Sequence, residues 1–249
     1  MRVAPILTGL LLAGAAVPAA AHAAAASPPK LAATLETCTS SPLPVQRIAS
    51  FVGSMPAHAK ATRMRMRFDL ERRRLGERRW RRLQAEGFGV WERSDRGVAG
   101  FVFTKRVTGL PVPASYRALV RFAWLAADGT TLRSASARSP ACRQADLRPN
   151  LVPGALTAAL DLQQPQLALY TLVVRNTGRS AADPFSVRVG SGSAEVGRLE
   201  PGEQRAVPVV APACIPLVSI VVRVDADRRV EESEETANGT RRRCPLALG

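Results

Sequence analysis

The sequence predicts an all-β protein made of two β-sandwich domains, 27–145 and 146–249, behind an export signal at 1–26. Three observations carry that reading. Apolar residues alternate with a period of two in many short stretches, separated by Gly, Pro and Asp-Gly turns, which is the pattern of half-buried strands. The four cysteines, Cys38, Cys142, Cys214 and Cys244, are widely spaced with no CxxC pair, as in chains stapled by disulfides outside the cytosol. Charge is divided unevenly: 27–145 holds 22 Lys plus Arg against 8 acids, a net of +14, whereas 146–249 holds 12 of each.

The first 26 residues begin with Arg2, run through an apolar stretch at Ile6–Val17 and reach the small-residue pattern Ala21-His22-Ala23. That order describes a cleavable secretory leader. An uncleaved anchor is the alternative, because Val3–Ala26 is long enough to span a bilayer, although Pro5 and Pro18 interrupt it. No cysteine follows the apolar run to carry a lipid, and no later stretch is long and apolar enough to cross. The expected location is secreted, extracellular or associated with the cell envelope.

Four cysteines allow three pairings. Cys38–Cys142 with Cys214–Cys244 keeps each bridge inside one expected domain. Loop entropy assigns these bridges about 5 and about 4 kcal/mol of stabilisation, respectively.

In the first half, Ala61–Arg73 reads as a strand with Met64, Met66, Phe68 and Leu70 on one face and Arg63, Arg65, Arg67 and Asp69 on the other. Gly97–Val107 and Ser115–Leu125 are further strands rich in aromatic and β-branched residues. Asp128-Gly129 marks a hairpin. The phrase GLPVPASYRALVRFAW resembles the fibronectin type III pattern. That resemblance implies a tyrosine corner at Leu110, Pro113 and Tyr116, with Ala118, Val120, Phe122 and Trp124 facing inward.

The sharpest chemical feature of this half is Glu71–Leu83, with seven arginines, Arg72, Arg73, Arg74, Arg78, Arg79, Arg81 and Arg82, around Trp80. Guanidinium forks bind phosphate, sulfate or carboxylate, and an indole can stack on a sugar or base, so the run is a candidate polyanion site. A hairpin or edge strand guarded by charge explains the same residues without a ligand.

The second half shows alternating strands near 155–162, 166–176, 184–190, 193–199, 205–211, 217–225 and 240–244, with turns at Asn176-Thr177-Gly178 and Pro201-Gly202-Glu203. In the first of these turns Gly178 is read as supplying positive φ. Near the end stands Asp225, then Val230, Glu232, Ser233, Glu235 and Asn238. The spacing resembles the closing D-x-x-x-x-V-x-E-S-x-E-x-x-N phrase of CARDB, the cell-adhesion-related domain of bacteria. The resemblance implies a seven-stranded immunoglobulin-like sandwich, exported or displayed at a surface, without catalysis.

Six acids fall between Asp225 and Glu235. An EF-hand loop needs Gly sixth and Glu twelfth, and here those places hold Val230 and Thr236. A looser cation site using Asp225, Asp227 and Glu231 stays open. The competing reading is a turn in which Asp225 and Asp227 satisfy backbone amides and Val230 plugs the core. Asn238-Gly239-Thr240 also fits a glycosylation sequon.

His58 is the single histidine after the leader, and no GxSxG, HExxH, Walker A or GxGxxG motif occurs. No catalytic residue, cofactor or metal is therefore expected. The expected function is a non-catalytic adhesion or binding module whose basic domain engages an anionic cell-envelope polymer or another surface protein, without specific nucleic-acid recognition. A purely structural spacer and a calcium-dependent module are the alternatives.

Overall fold

The computed structural model describes residues 29–246, so the leader lies outside the described residues. Sixteen strands follow in order: β1 (Ala32–Thr39), β2 (Ile48–Pro56), β3 (Arg63–Arg74), β4 (Arg81–Leu83), β5 (Trp91–Arg93), β6 (Gly100–Val107), β7 (Ala114–Leu125), β8 (Thr131–Arg138), β9 (Cys142–Gln144), β10 (Leu151–Leu160), β11 (Leu167–Asn176), β12 (Phe185–Val189), β13 (Gly192–Val196), β14 (Gln204–Pro212), β15 (Ser219–Val224) and β16 (Gly239–Arg243). Two short 3₁₀ turns, Pro44–Gln46 and Glu235–Asn238, are the only helical segments among the described residues.

The all-β expectation holds, and the buried residues form two cores, one per sandwich. In the first, the sheet β1-β2-β6 faces the larger sheet β4-β3-β7-β8, to which β5 adds along β3 and β9 along β7. Every pairing is antiparallel. Alternation decides which side chains enter: Met64, Met66, Phe68 and Leu70 of β3 meet Phe51 and Met55 of β2, all fully or almost fully buried. Each side chain of that size removed from water stabilises the fold by about 1.5–3 kcal/mol. Gly53 marks a close approach of the two sheets, since a Cβ there would lie 2.8 Å from Met66 Sδ and 2.9 Å from Phe68 Cζ.

The tyrosine corner is present. Tyr116 opens β7, is fully buried, and donates its hydroxyl to the Pro111 carbonyl at 2.5 Å, with Leu110 buried beside it. Ala118, Val120, Phe122 and Trp124 then face the core, and Trp124 Nε1 donates to Pro56 O at 2.8 Å.

The second sandwich packs β10-β11-β14 against β13-β12-β15-β16, giving the seven expected strands. Its core is built from Leu151, Tyr170, Leu172, Val174, Phe185, Val187, Val222 and Val224, with Val230 plugging one end. The first of these strands starts at Leu151, four residues before its expected limit, and a register shift lies between Pro153 and Leu156. Pro153 has no amide hydrogen to give the ladder, so the strand accommodates it with an irregularity.

Both bridges form as the sequence suggested. Cys38 on β1 joins Cys142 on β9, and Cys214 after β14 joins Cys244 after β16. Each one ties the two sheets of its own sandwich together.

Candidate polyanion-binding face

The arginine run between Glu71 and Leu83 is a hairpin. β3 continues to Arg74, the chain turns through Gly76 at φ +81°, and β4 begins at Arg81. Strand alternation therefore distributes the seven arginines over different surfaces. Arg72 and Arg74 share the parity of Leu70, and Arg81 stands opposite Arg72 across the ladder. Arg78 and Arg79 lie on the turn, while Arg73 and Arg82 take the outward parity. Trp80 already carries cations: the Arg117 and Arg73 guanidiniums lie 4.1 and 4.9 Å from its ring centroid.

What the fold assembles is a different set. The outward positions of the six-stranded sheet hold Arg63, Arg65, Arg67 and Arg73 on β3, Arg82 on β4, Arg93 on β5, Arg117 and Arg121 on β7, and Arg138 on β8. Two carboxylates stand among them. Asp69, only 3 % exposed, accepts from Arg82 at 2.7 Å and Arg67 at 3.1 Å and lies 3.4 Å from Arg121. Glu71 accepts from Arg117 at 2.7 Å and lies 4.0 Å from Arg138. These two acids hold five guanidiniums, one from β4, one from β3, two from β7 and one from β8.

Nine arginines against two acids leave the face strongly cationic, and Arg63, Arg65, Arg73 and Arg93 carry no ion pair among the described residues. Arg65 instead stacks 4.5 Å over Trp91. The alternation Arg63-Arg65-Arg67 is visible in the sequence as one face of a strand. The arginines of β5, β7 and β8 are scattered singly and become neighbours only through sheet order.

The acidic stretch takes another shape. Asp225 accepts from the Arg229 and Val230 amides at 3.0 and 3.2 Å, and it sits at φ +46°, a conformation its short side chain tolerates in a tight turn. Glu232, 1 % exposed, accepts from the Leu151 amide and from Asn238 Nδ2 at 2.7 Å. Glu235 accepts from the Glu232 amide at 3.0 Å, and the Ser233 amide donates to Pro149 O at 2.9 Å. Burial, reinforced by the neighbouring Glu235 and Asp225, pushes the Glu232 carboxyl up to about 7. Burial likewise raises Asp225.

The looser cation set changes membership as a result. The carboxylates that approach within 4.8 Å of one another are Asp225, Glu232 and Glu235. Asp227 turns away to Ser186 Oγ at 2.9 Å and to Arg229, and Glu231 pairs with Arg148 and Arg47. Within the three that do meet, five of the six oxygens already accept a backbone or amide donor. The turn reading accounts for the cluster. Asn238 gives its amide to Glu232, so the sequon residue is engaged in the same turn. Gly178 is also reassigned: it has no positive φ, and a Cβ there would lie 2.4 Å from Pro149 and Asn150 backbone atoms, so close approach is what requires glycine. His58 lies in a turn where its Nδ1 accepts from the Lys60 amide at 3.4 Å.

Every residue of the closing phrase thus has a task in one sandwich: turn, plug, clamp and cap. Residues 148–242 match the CARDB family. The matched segment takes in β10 to β15 and most of β16, so the CARDB domain and the second sandwich are the same object. No curated protein matches the chain. A solved structure, the crystal structure of the Amycolatopsis orientalis exo-chitosanase CsxA, is similar over 79 % of this chain at 10 % identity, with a TM-score of 0.23. This chain spans 25 % of that one. Two disulfides, a CARDB domain and no helix long and apolar enough to cross a membrane among the described residues fit an extracellular protein.

Proposed function

We propose that the protein is a non-catalytic exported adhesion module whose N-terminal sandwich binds an anionic cell-envelope polymer across the outer face of its six-stranded sheet, with the CARDB domain displaying that face. The observation that carries the reading is the arginine array itself. Guanidiniums on alternate residues of one strand recur about every 6.6–6.8 Å along it, and neighbouring strands repeat them at about 4.8 Å. An extended polymer bearing regular phosphate, sulfate or carboxylate groups can pair with such a lattice without a shaped pocket. Arg63 and Arg65, both part-exposed, and the exposed Arg93 supply charge that no carboxylate among the described residues neutralises.

The test is retention on a polyphosphate or heparin resin across a salt gradient. Arg63→Ser/Arg65→Ser/Arg93→Ser should elute early and lower the log–log salt slope by about 3, near one for each phosphate no longer neutralised. Elution of that variant with the wild type removes the proposal and leaves the spacer reading.

A further inference from the structure

A second basic surface lies where the two sandwiches meet, and the polymer face does not account for it. A cleft of about 580 Å³ opens there between the β3–β4 turn, β9, the connecting segment and the β11–β12 turn. Five arginines line it, and they are not equivalent. Arg148 is spent: it clasps Asp146 through two nitrogens at 2.8 and 2.9 Å and reaches Glu231 at 3.2 Å. Arg73 is stacked on Trp80. Arg74, Arg143 and Arg179 enter no ion pair among the described residues.

These three come from separate elements held in fixed relation. Arg143 sits on β9 between Cys142, tied to β1 by a disulfide, and Gln144, whose amide donates to Thr39 O at 3.0 Å. Arg179 is placed by the β11–β12 turn, which lies on the connecting segment through Thr177 N to Asn150 O at 2.7 Å and Arg179 N to Arg148 O at 3.1 Å. Gly178 permits that approach, because no side chain fits between the turn and Pro149. Arg74 ends β3, and the turn beyond it is closed by Glu77, which lines the cleft and accepts from the Arg74 amide at 3.2 Å through one carboxylate oxygen.

We propose that this interdomain cleft is a phosphate site, in which Arg74, Arg143 and Arg179 hold a tetrahedral oxyanion between the two sandwiches. A carboxylate is satisfied by one planar fork, whereas three unpaired guanidiniums on three walls suit a group that offers acceptors in all directions. The volume falls in the ordinary range for small-ligand clefts and leaves room for a sugar or alcohol that carries the phosphate. Occupancy would also bridge the sandwiches, since Arg179 belongs to the CARDB domain and the other two do not.

The experiment titrates the full chain with inorganic phosphate and, separately, with polyphosphate by calorimetry at low salt. The comparison set is wild type, the cleft variant Arg143→Ser/Arg179→Ser, the face variant Arg63→Ser/Arg65→Ser/Arg93→Ser, and the two combined. Saturable phosphate binding that the cleft variant weakens at least tenfold and the face variant leaves unchanged supports the site with free phosphate as sufficient ligand. Saturable binding of polyphosphate alone, weakened at least tenfold when the cleft changes are added to the face variant, supports it with a polymer-borne phosphate as the source. Absence of saturation with both probes, or binding that the cleft changes leave unaltered in the face-variant background, overturns it. The face variant's resin behaviour is read independently, so loss of one idea leaves the other standing.

Discussion

Glu231 of the CARDB domain reaches Arg47 of the N-terminal sandwich, Oε1 to Nη1 at 3.5 Å, and meets Arg148 of the connecting segment at 3.2 Å. Arg47 is buried and also donates to the Ser41 and Pro42 carbonyls, so it is a rigid anchor and Glu231 is the movable partner. Glu231 is half exposed, which limits the pair to at most about 1 kcal/mol. Glu231→Gln should therefore barely move the melting temperature yet speed proteolytic cutting between Ala145 and Asn150, as the strut between sandwiches loosens. Unchanged cutting would show that the hydrogen bonds of the β11–β12 turn hold the junction alone.

Asp69 makes an opposite pair of effects separable. Its carboxylate is buried beneath Arg67, Arg82 and Arg121, two of which are about half exposed, so the full cost of breaking a buried pair is reduced by solvent. Asp69→Asn is expected to cost about 2 kcal/mol in chemical denaturation. The same variant adds one net positive charge to the face and should bind polyphosphate resin more tightly than wild type. Weaker retention by a folded variant would mean that the geometry Asp69 imposes matters more than net charge.

The Glu232 carboxyl, held near 7 by burial, ionises far below that in the unfolded chain. Between those values the native state keeps a proton that the unfolded state releases. The resulting stabilisation is complete below the ordinary carboxyl range and disappears as pH rises through 7. Asp225, also raised by burial, acts in the same direction. Denaturation midpoints should thus fall between pH 5 and pH 8, by up to about 3 kcal/mol for Glu232. Glu232→Gln should flatten that profile, because a neutral amide oxygen can still accept from Leu151.

Calcium gives a direct check on the acidic turn. Five of the six oxygens of Asp225, Glu232 and Glu235 already accept donors that close the turn. Millimolar calcium, or a chelator, should leave the melting temperature in place. A rise of several degrees with calcium would reveal a cation competing successfully with those donors.

Much of this architecture is legible in the sequence because strand alternation is local. Met64, Met66 and Phe68 declare their inward face from spacing alone, and the corner at Tyr116 and Leu110 follows from the resemblance to the fibronectin type III pattern. The candidate face is only half legible. Arg63, Arg65 and Arg67 can be read along one strand, but Arg93, Arg117, Arg121 and Arg138 join them through the order of strands in the sheet, which no short window of sequence contains. Asp69 has the outward parity and is nonetheless buried, because arginines from three strands fold over it. The linear run misleads for the same reason: contiguous residues of a strand point to opposite sides, so Arg72 and Arg73 cannot share a surface. Gly178 reads as a turn residue and proves to be a spacing residue, since the segment it touches lies 28 positions away in sequence at Asn150.

Tyr170 sets a final comparison between the sandwiches. Its hydroxyl donates to Pro212 O at 3.0 Å and accepts from the Cys214 amide at 2.8 Å, whereas the Tyr116 hydroxyl donates to the Pro111 carbonyl with the Arg72 guanidinium beside it. Both rings are fully buried, so replacement by phenylalanine keeps the packing and removes only the polar atom. Each backbone group left without a partner costs about 1–3 kcal/mol when water cannot reach it, and less when it can. Tyr170→Phe strands a donor and an acceptor beside the Cys214–Cys244 bridge, and Tyr116→Phe strands one acceptor. The expected losses are about 2 and about 1 kcal/mol, measured on each variant by denaturation with disulfides intact. Equal losses would place water at the Cys214 end of the CARDB domain, and a larger loss at Tyr116 would make the corner of the N-terminal sandwich the tighter of the two.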